Sequence, residues 1–133
     1  MSPVTKGVRT LVAEAEAEVE TVTMDEALTA VADGALFVDL RDVRELDREG
    51  RIPGAYHAPR GMLEFWVDPD SPYHREALSS ANRLILFCNL GWRSALAAKA
   101  LQDMGMGNVA HLEGGFEGWK AAGGEVQDAT PGS

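Results

Sequence analysis

The residues best placed to do chemistry are gathered in Cys88-Asn89-Leu90-Gly91-Trp92-Arg93-Ser94. Cys88 is the single cysteine of the chain. It follows the apolar run Leu84-Ile85-Leu86-Phe87, and a helical pattern begins at about Ser94. A helix starting there aims unpaired amides and a partial positive charge back at the preceding loop. Gly91 can take backbone angles that alanine resists, which lets successive amides converge on an anion. Arg93 adds a permanent charge on a planar fork suited to oxyanions. These features favour a thiolate at Cys88, and the same geometry would hold a persulfide or a bound oxyanion. A lone cysteine at the end of a buried strand is also how a small core residue looks. The glycine and arginine weigh toward a nucleophile and leave the core alternative open.

The elements that must position this loop can be read outward from it. Leu84–Phe87 is an apolar run of the kind covered on both faces of a sheet, and Ala35–Asp39 is a second. Val109–Leu112 reads as another strand, and a short one is expected near Val19–Val22. A helix is expected over about 8–16, from Val8, Leu11, Val12 and Ala15. The capping box Thr23-Met24-Asp25-Glu26 opens a second helix, which Asp33-Gly34 stops after about Ala32. Asp42-Val43-Arg44-Glu45 is a further helix start, and Gly50–Ala55 breaks regular structure. Residues 61–80 read as short helices and loops. The helix after the cysteine loop runs to about Met104 with Gly105 as its cap, and a last short one covers Phe116–Ala121.

Strands alternating with helices predict an α/β fold, doubly wound, with a mostly parallel central sheet of about five strands and helices on both faces. The active site of such a sheet lies beyond the carboxyl ends of its strands, where Cys88 falls. The division expected is an N-terminal helical extension over 1–20, one domain over 21–126 and a flexible tail over 127–133.

A chain of 133 residues with 45% hydrophobic and 25% charged residues is one soluble globular domain. With 21 acidic residues against 12 basic ones its net charge is −9, which disfavours nucleic acid as a partner. One cysteine excludes an internal disulfide framework and any resolving thiol. The absence of a signal-type or membrane-spanning apolar run makes cytoplasm the expected compartment, with no membrane partner.

The loop resembles the active-site loop of rhodanese-type sulfurtransferases, Cys-x-x-Gly-x-Arg-Ser in the common single-domain form. Three further blocks are similar, in the same order. Phe37-Val38-Asp39-Leu40-Arg41 with Glu45 resembles the family's Asp-x-Arg-x-x-x-Glu segment. Arg51-Ile52-Pro53-Gly54-Ala55 resembles its His-Ile-Pro-Gly-Ala turn. Leu112-Glu113-Gly114-Gly115-Phe116, with Trp119 and Ala122-Gly123, resembles its closing signature. The resemblance implies that Cys88 takes sulfane sulfur from a donor (thiosulfate or a persulfide) and passes it to a thiol or cyanide by ping-pong covalent chemistry. Amides of residues 89–93 would hold the anionic sulfur, and Arg93 would order the loop or the donor. No metal or organic cofactor is implied. A protein sulfur donor or acceptor is an alternative partner, and the chain is expected to be a monomer or homodimer.

Two departures are peripheral: Arg51 stands where the family has histidine, and one extra residue lies between Glu45 and Gly50. A third bears on substrate. Asn89, Leu90 and Trp92 carry no positive charge, where thiosulfate-preferring members often place cations. Weak thiosulfate affinity is therefore expected. Two rivals remain. Cysteine phosphatases and arsenate reductases use a related cradle, but their arginine follows the cysteine by six positions, whereas Arg93 follows Cys88 by five and Phe87 stands in place of their histidine. The other rival is a non-catalytic rhodanese-like binding or sulfur-sensing module.

Asp39, Arg41, His57, Arg60 and Trp66 are candidates to line the pocket. For Asp39 a pairing with Arg41 is the stronger expectation, and Arg41 and Glu45, four apart, are expected to pair with each other. His57, His74 and His111 show no metal-ligand spacing. Met62, Phe65, Trp66 and Trp92 are candidates for an apolar rim, though Phe65 reads better as core.

Overall fold

The computed structural model describes residues 3–128. Five strands form one sheet: β1 (Glu20–Val22), β2 (Leu36–Asp39), β3 (Tyr56–His57), β4 (Leu84–Phe87) and β5 (Val109–Leu112). Their order across the sheet is β1-β5-β4-β2-β3, and every neighbouring pair is parallel. Parallel neighbours cannot be joined by a hairpin, so each connection has to cross a face of the sheet. The connections carry α2 (Met24–Ala30), α3 (Val43–Glu49), α4 (Leu63–Val67), α5 (Glu76–Ser80) and α6 (Trp92–Asp103), while α1 (Val8–Glu18) precedes β1 and α7 (Gly115–Ala121) follows β5. The expected α/β architecture is the one observed. β3, two residues long, follows directly on a segment read only as a break, because so short a strand has no periodicity to show.

Alternation along β4 shows why it reads as uniformly apolar. Leu84 and Leu86 belong to a cluster with Val38, Leu63, Val67, Leu78, Ala98 and Leu101. Ile85 and Phe87 belong to the opposite cluster, with Phe37, Ala110, Leu112, Phe116 and Trp119. Both faces are covered, and each fully buried Leu, Ile or Phe contributes about 1.5–3 kcal/mol. Capping boxes start two of the helices, Thr23 with Glu26 for α2 and Asp42 with Glu45 for α3.

α1 packs on α6 through Val12, Ala15 and Ala95. Arg9 sits over the Trp92 ring at 6.0 Å near the start of both helices, and Glu18 pairs with Lys99 at 3.1 Å further along. The two helices therefore run side by side in the same direction. Of the segment read as a tail, Gln127 exchanges backbone hydrogen bonds with Arg51 at 2.8 Å, and residues 129–133 lie outside the described ones. Among the described residues no helix is long and apolar enough to cross a membrane.

Candidate active site

β4 is flanked by β2 and β5, and Cys88 follows its last residue at the carboxyl end of the sheet. The residue is 1% exposed. Its carbonyl accepts a hydrogen bond from the Phe116 amide at 2.8 Å, and that of Asn89 accepts from the Glu117 amide at 3.1 Å. The first turn of α7 thus grips the start of the loop. This grip explains the second glycine of the Gly114-Gly115 pair. Gly115 has φ +58°, and a Cβ there would lie 2.5 Å from the Cys88 carbonyl oxygen and 2.6 Å from that of Asn89.

With these carbonyls committed to α7, the loop's amides remain. Among the described residues no group accepts from the backbone N–H of Asn89, Leu90 or Gly91. Gly91, at φ +143°, is the N-cap residue of α6, and the first-turn amides of that helix also lack intrahelical partners. The loop after Cys88 thus carries uncommitted donors at the positive end of a 12-residue helix, a chemistry that favours an anion there.

Arg93 is held by a bidentate pair with Glu45, Nη1 to Oε1 at 2.7 Å and Nη2 to Oε2 at 2.9 Å. Glu45 also accepts from the Asp42 amide, so one carboxylate caps α3 and anchors the loop arginine. The Arg93 hydrogen bonds hold the Glu45 carboxyl down at about 2, against some opposition from burial. Arg93 is raised in turn, first by Glu45 and also by the nearby Cys88. The expected Arg41–Glu45 pair is therefore replaced: Glu45 reaches across to the loop, and Arg41 turns to Asp39.

Ser94 lies beside the cysteine, Cys88 Sγ to Ser94 Oγ being 3.7 Å. Its hydroxyl is 3.1 Å from the Gly91 carbonyl oxygen and 3.1 Å from His111 Nδ1. His111 is 1% exposed on β5, and its Nε2 has no partner among the described residues. Burial lowers its basicity, with Glu16 and Glu113 pulling the other way.

The other candidates lie in the frame or on the surface. Arg41 and Asp39 are fully buried and joined by two hydrogen bonds of 2.9 and 2.8 Å; Arg41 also donates to the Gly50 carbonyl and stacks 4.0 Å from the Phe116 ring. They brace the elements around the loop and offer no open edge to a substrate. His57 Nε2 contacts the Arg41 carbonyl at 2.6 Å, and Arg60 is taken up by Glu64 at 2.7 Å. Trp66 packs edge-on against Tyr56 with Arg75 over its ring at 4.3 Å. Leu90 and Trp92 are exposed at the loop, 67% and 49%. Phe65, expected in the core, is exposed, because Leu63 and Val67 occupy the inner face of α4 and a residue two positions along points away.

Two contributors escaped the sequence reading. Gly115 was legible only as a motif letter, since its contact with the Cys88 carbonyl arises from how α7 docks. His111 had one usable signal, strand parity: Ala110 and Leu112 face one cluster, so His111 must face the side carrying α6.

Comparison with known proteins identifies the family. The rhodanese-like domain model matches residues 23–122. A thiosulfate sulfurtransferase GlpE of Pseudomonas entomophila is 32% identical over 104 residues, covering 78% of this chain and 87% of its own. A structure from Rhodopseudomonas palustris, described as a protein of unknown function and possible tyrosine phosphatase, superposes with TM-score 0.89 at 43% identity over 96% of this chain and 98% of its own. The human single-domain sulfurtransferase TSTD1 superposes with TM-score 0.63 at 25% identity, over 76% and 95%. The family match spans the cysteine loop, its Glu45 anchor and the Gly114-Gly115 grip, and the chain belongs to the rhodanese-like domain family.

Proposed function

We propose that the protein is a sulfurtransferase in which Cys88 carries sulfane sulfur as a persulfide. The observation that carries this reading is that the backbone amides of Asn89, Leu90 and Gly91, the three residues directly after Cys88 and before α6, have no acceptor among the described residues. In the first half-reaction the Cys88 thiolate attacks the outer sulfur of thiosulfate or of an organic persulfide. A new S–S bond forms, and sulfite or the donor thiolate leaves with the electron pair of the old one. In the second, cyanide or a thiolate attacks the terminal sulfur, thiocyanate or a new persulfide departs, and the Cys88 thiolate returns. The loop amides stabilise the terminal anionic sulfur in between. Burial of Cys88 shields the persulfide from stray thiols and water.

Donor preference follows from charge. With Asn89, Leu90 and Trp92 uncharged and Arg93 neutralised by Glu45, a dianion meets little positive potential on a chain of net charge −9. An organic or protein persulfide is the favoured donor over thiosulfate, and cytoplasm the favoured compartment.

The phosphatase description of the Rhodopseudomonas palustris structure motivates a second reading. Against it, the span from Cys88 to Arg93 is one residue shorter than a phosphatase loop, which leaves a cradle too tight for a phosphoryl group. The test is intact mass after exposure to thiosulfate or to an organic persulfide, with Cys88→Ser as control. A gain of about 32 Da, reversed by cyanide, supports sulfur carriage. No gain from either donor with a reactive thiol refutes it, and hydrolysis of an aryl phosphate would establish the rival.

A further inference from the structure

We infer that His111 is a positioning residue for Cys88, acting through Ser94 by fixing which way the serine hydroxyl points. The inference rests on the sulfur-carrier reading for its purpose, although its physical content concerns the Cys88 sulfur alone. The observations are the chain of contacts Cys88 Sγ–Ser94 Oγ (3.7 Å) and Ser94 Oγ–His111 Nδ1 (3.1 Å), together with the buried, unpartnered His111 Nε2.

The tautomer follows from counting donors and acceptors. A serine hydroxyl donates once and accepts twice. If Nδ1 of His111 carries the proton, the imidazole donates to Ser94 Oγ, and the serine proton is free for the Gly91 carbonyl 3.1 Å away. The Cys88 thiol then fills the second acceptor site of Ser94, and every hydrogen-bonding position of the hydroxyl is used. Only a lone pair on Nε2 is left without a partner. If Nε2 carries the proton, Ser94 must give its hydrogen to Nδ1, the Gly91 contact loses its donor, and an N–H is stranded in the interior. A stranded donor is the costlier defect. The Nδ1–H form is favoured on both counts.

The consequence appears when the sulfur becomes anionic. Ser94 can rotate its hydrogen from the Gly91 carbonyl to Sγ, because His111 already satisfies an acceptor site and does not compete for the proton. Gly91 keeps the amide of Ala95 at 3.1 Å, so its carbonyl is not abandoned. His111 thereby makes Ser94 a donor to thiolate or persulfide rather than a passive neighbour. The charged groups facing His111 are Glu16 from α1 and Glu113 beyond β5, with Cys88 and Ser94 on its other side.

Two measurements test this. Long-range proton–nitrogen NMR of the wild-type imidazole reads the tautomer directly: protonation at Nδ1 is expected, and protonation at Nε2 overturns the proposal. The pH–rate profile of Cys88 alkylation by iodoacetamide reads the consequence. His111→Phe keeps the ring and removes the donor, and it should lower the alkylation rate at neutral pH by about three- to tenfold, the worth of one hydrogen bond. His111→Asn places an amide nitrogen near the Nδ1 position and should restore most of the rate. Introduced beside Ser94→Ala, His111→Phe should add nothing. A His111→Phe profile that matches wild type, or an equal shift without Ser94, overturns the proposal. Should the phenylalanine variant fail to fold, the tautomer and the asparagine variant still decide it. Alkylation needs no sulfur transfer, so loss of the sulfurtransferase reading would leave this test intact.

Discussion

Glu45→Gln isolates the tether between α3 and the cysteine loop. Glutamine can still accept from the Asp42 amide and keep the capping box, so the substitution removes charge and little else. The folded carboxyl is held at about 2 against 4.5 for the free group, which in full would be worth about 3.4 kcal/mol. Arg93 is 40% exposed, and solvent screening reduces the expected figure to about 1–2 kcal/mol at pH 7. The sign is fixed by the lowered value: the contribution is complete above pH 4.5 and disappears as pH falls through about 2. At pH 3.5 one of the roughly 2.5 pH units separating the two states has been spent, so about two-fifths of the gap should be gone. Urea unfolding of both proteins at pH 7 and pH 3.5 measures this. An equal gap at the two pH values, or none at pH 7, refutes the assignment of Glu45 as the anchor of Arg93.

Other substitutions probe the frame. Gly115→Ala should cost about 2–4 kcal/mol, because positive φ and a contact with the Cys88 carbonyl are both violated, and it should slow sulfur uptake; thermal unfolding and mass after donor exposure check the two effects. Arg41→Leu strands the buried Asp39 carboxylate and should cost about 3–5 kcal/mol by urea unfolding, with Asp39→Asn in the same background recovering part of the loss. Val12→Ala should cost about 1–2 kcal/mol, since Val12 is buried where α1 packs against Ala95 of α6; a variant as stable as wild type would contradict that packing.

The fold was legible where the sequence is most regular. Buried strands such as Leu84–Phe87 announce themselves as apolar runs, and the capping boxes at Thr23 and Asp42 mark helix starts chemically. The cysteine loop was legible as a local motif, since its parts are adjacent in sequence. Pairings were legible only in part. Asp39 with Arg41, two residues apart, is expected and observed, whereas Glu45 and Arg41 have ideal helical spacing and do not meet, because Arg41 precedes α3 and Glu45 reaches the distant Arg93 instead. The placement of α1 was equally hidden, because Val12 and Ala15 would suit any apolar partner until α6 is seen to present Ala95.

The most direct test of the central claim locates the sulfur. Cleavage after Arg83 and Arg93 releases the peptide Leu84–Arg93 with Cys88 inside it. After exposure to an organic persulfide, this peptide should be heavier by one sulfur, about 32 Da, and cyanide should return it to its original mass with thiocyanate formed. A Leu84–Arg93 peptide that never gains sulfur, in a protein whose Cys88 still alkylates, would contradict the account.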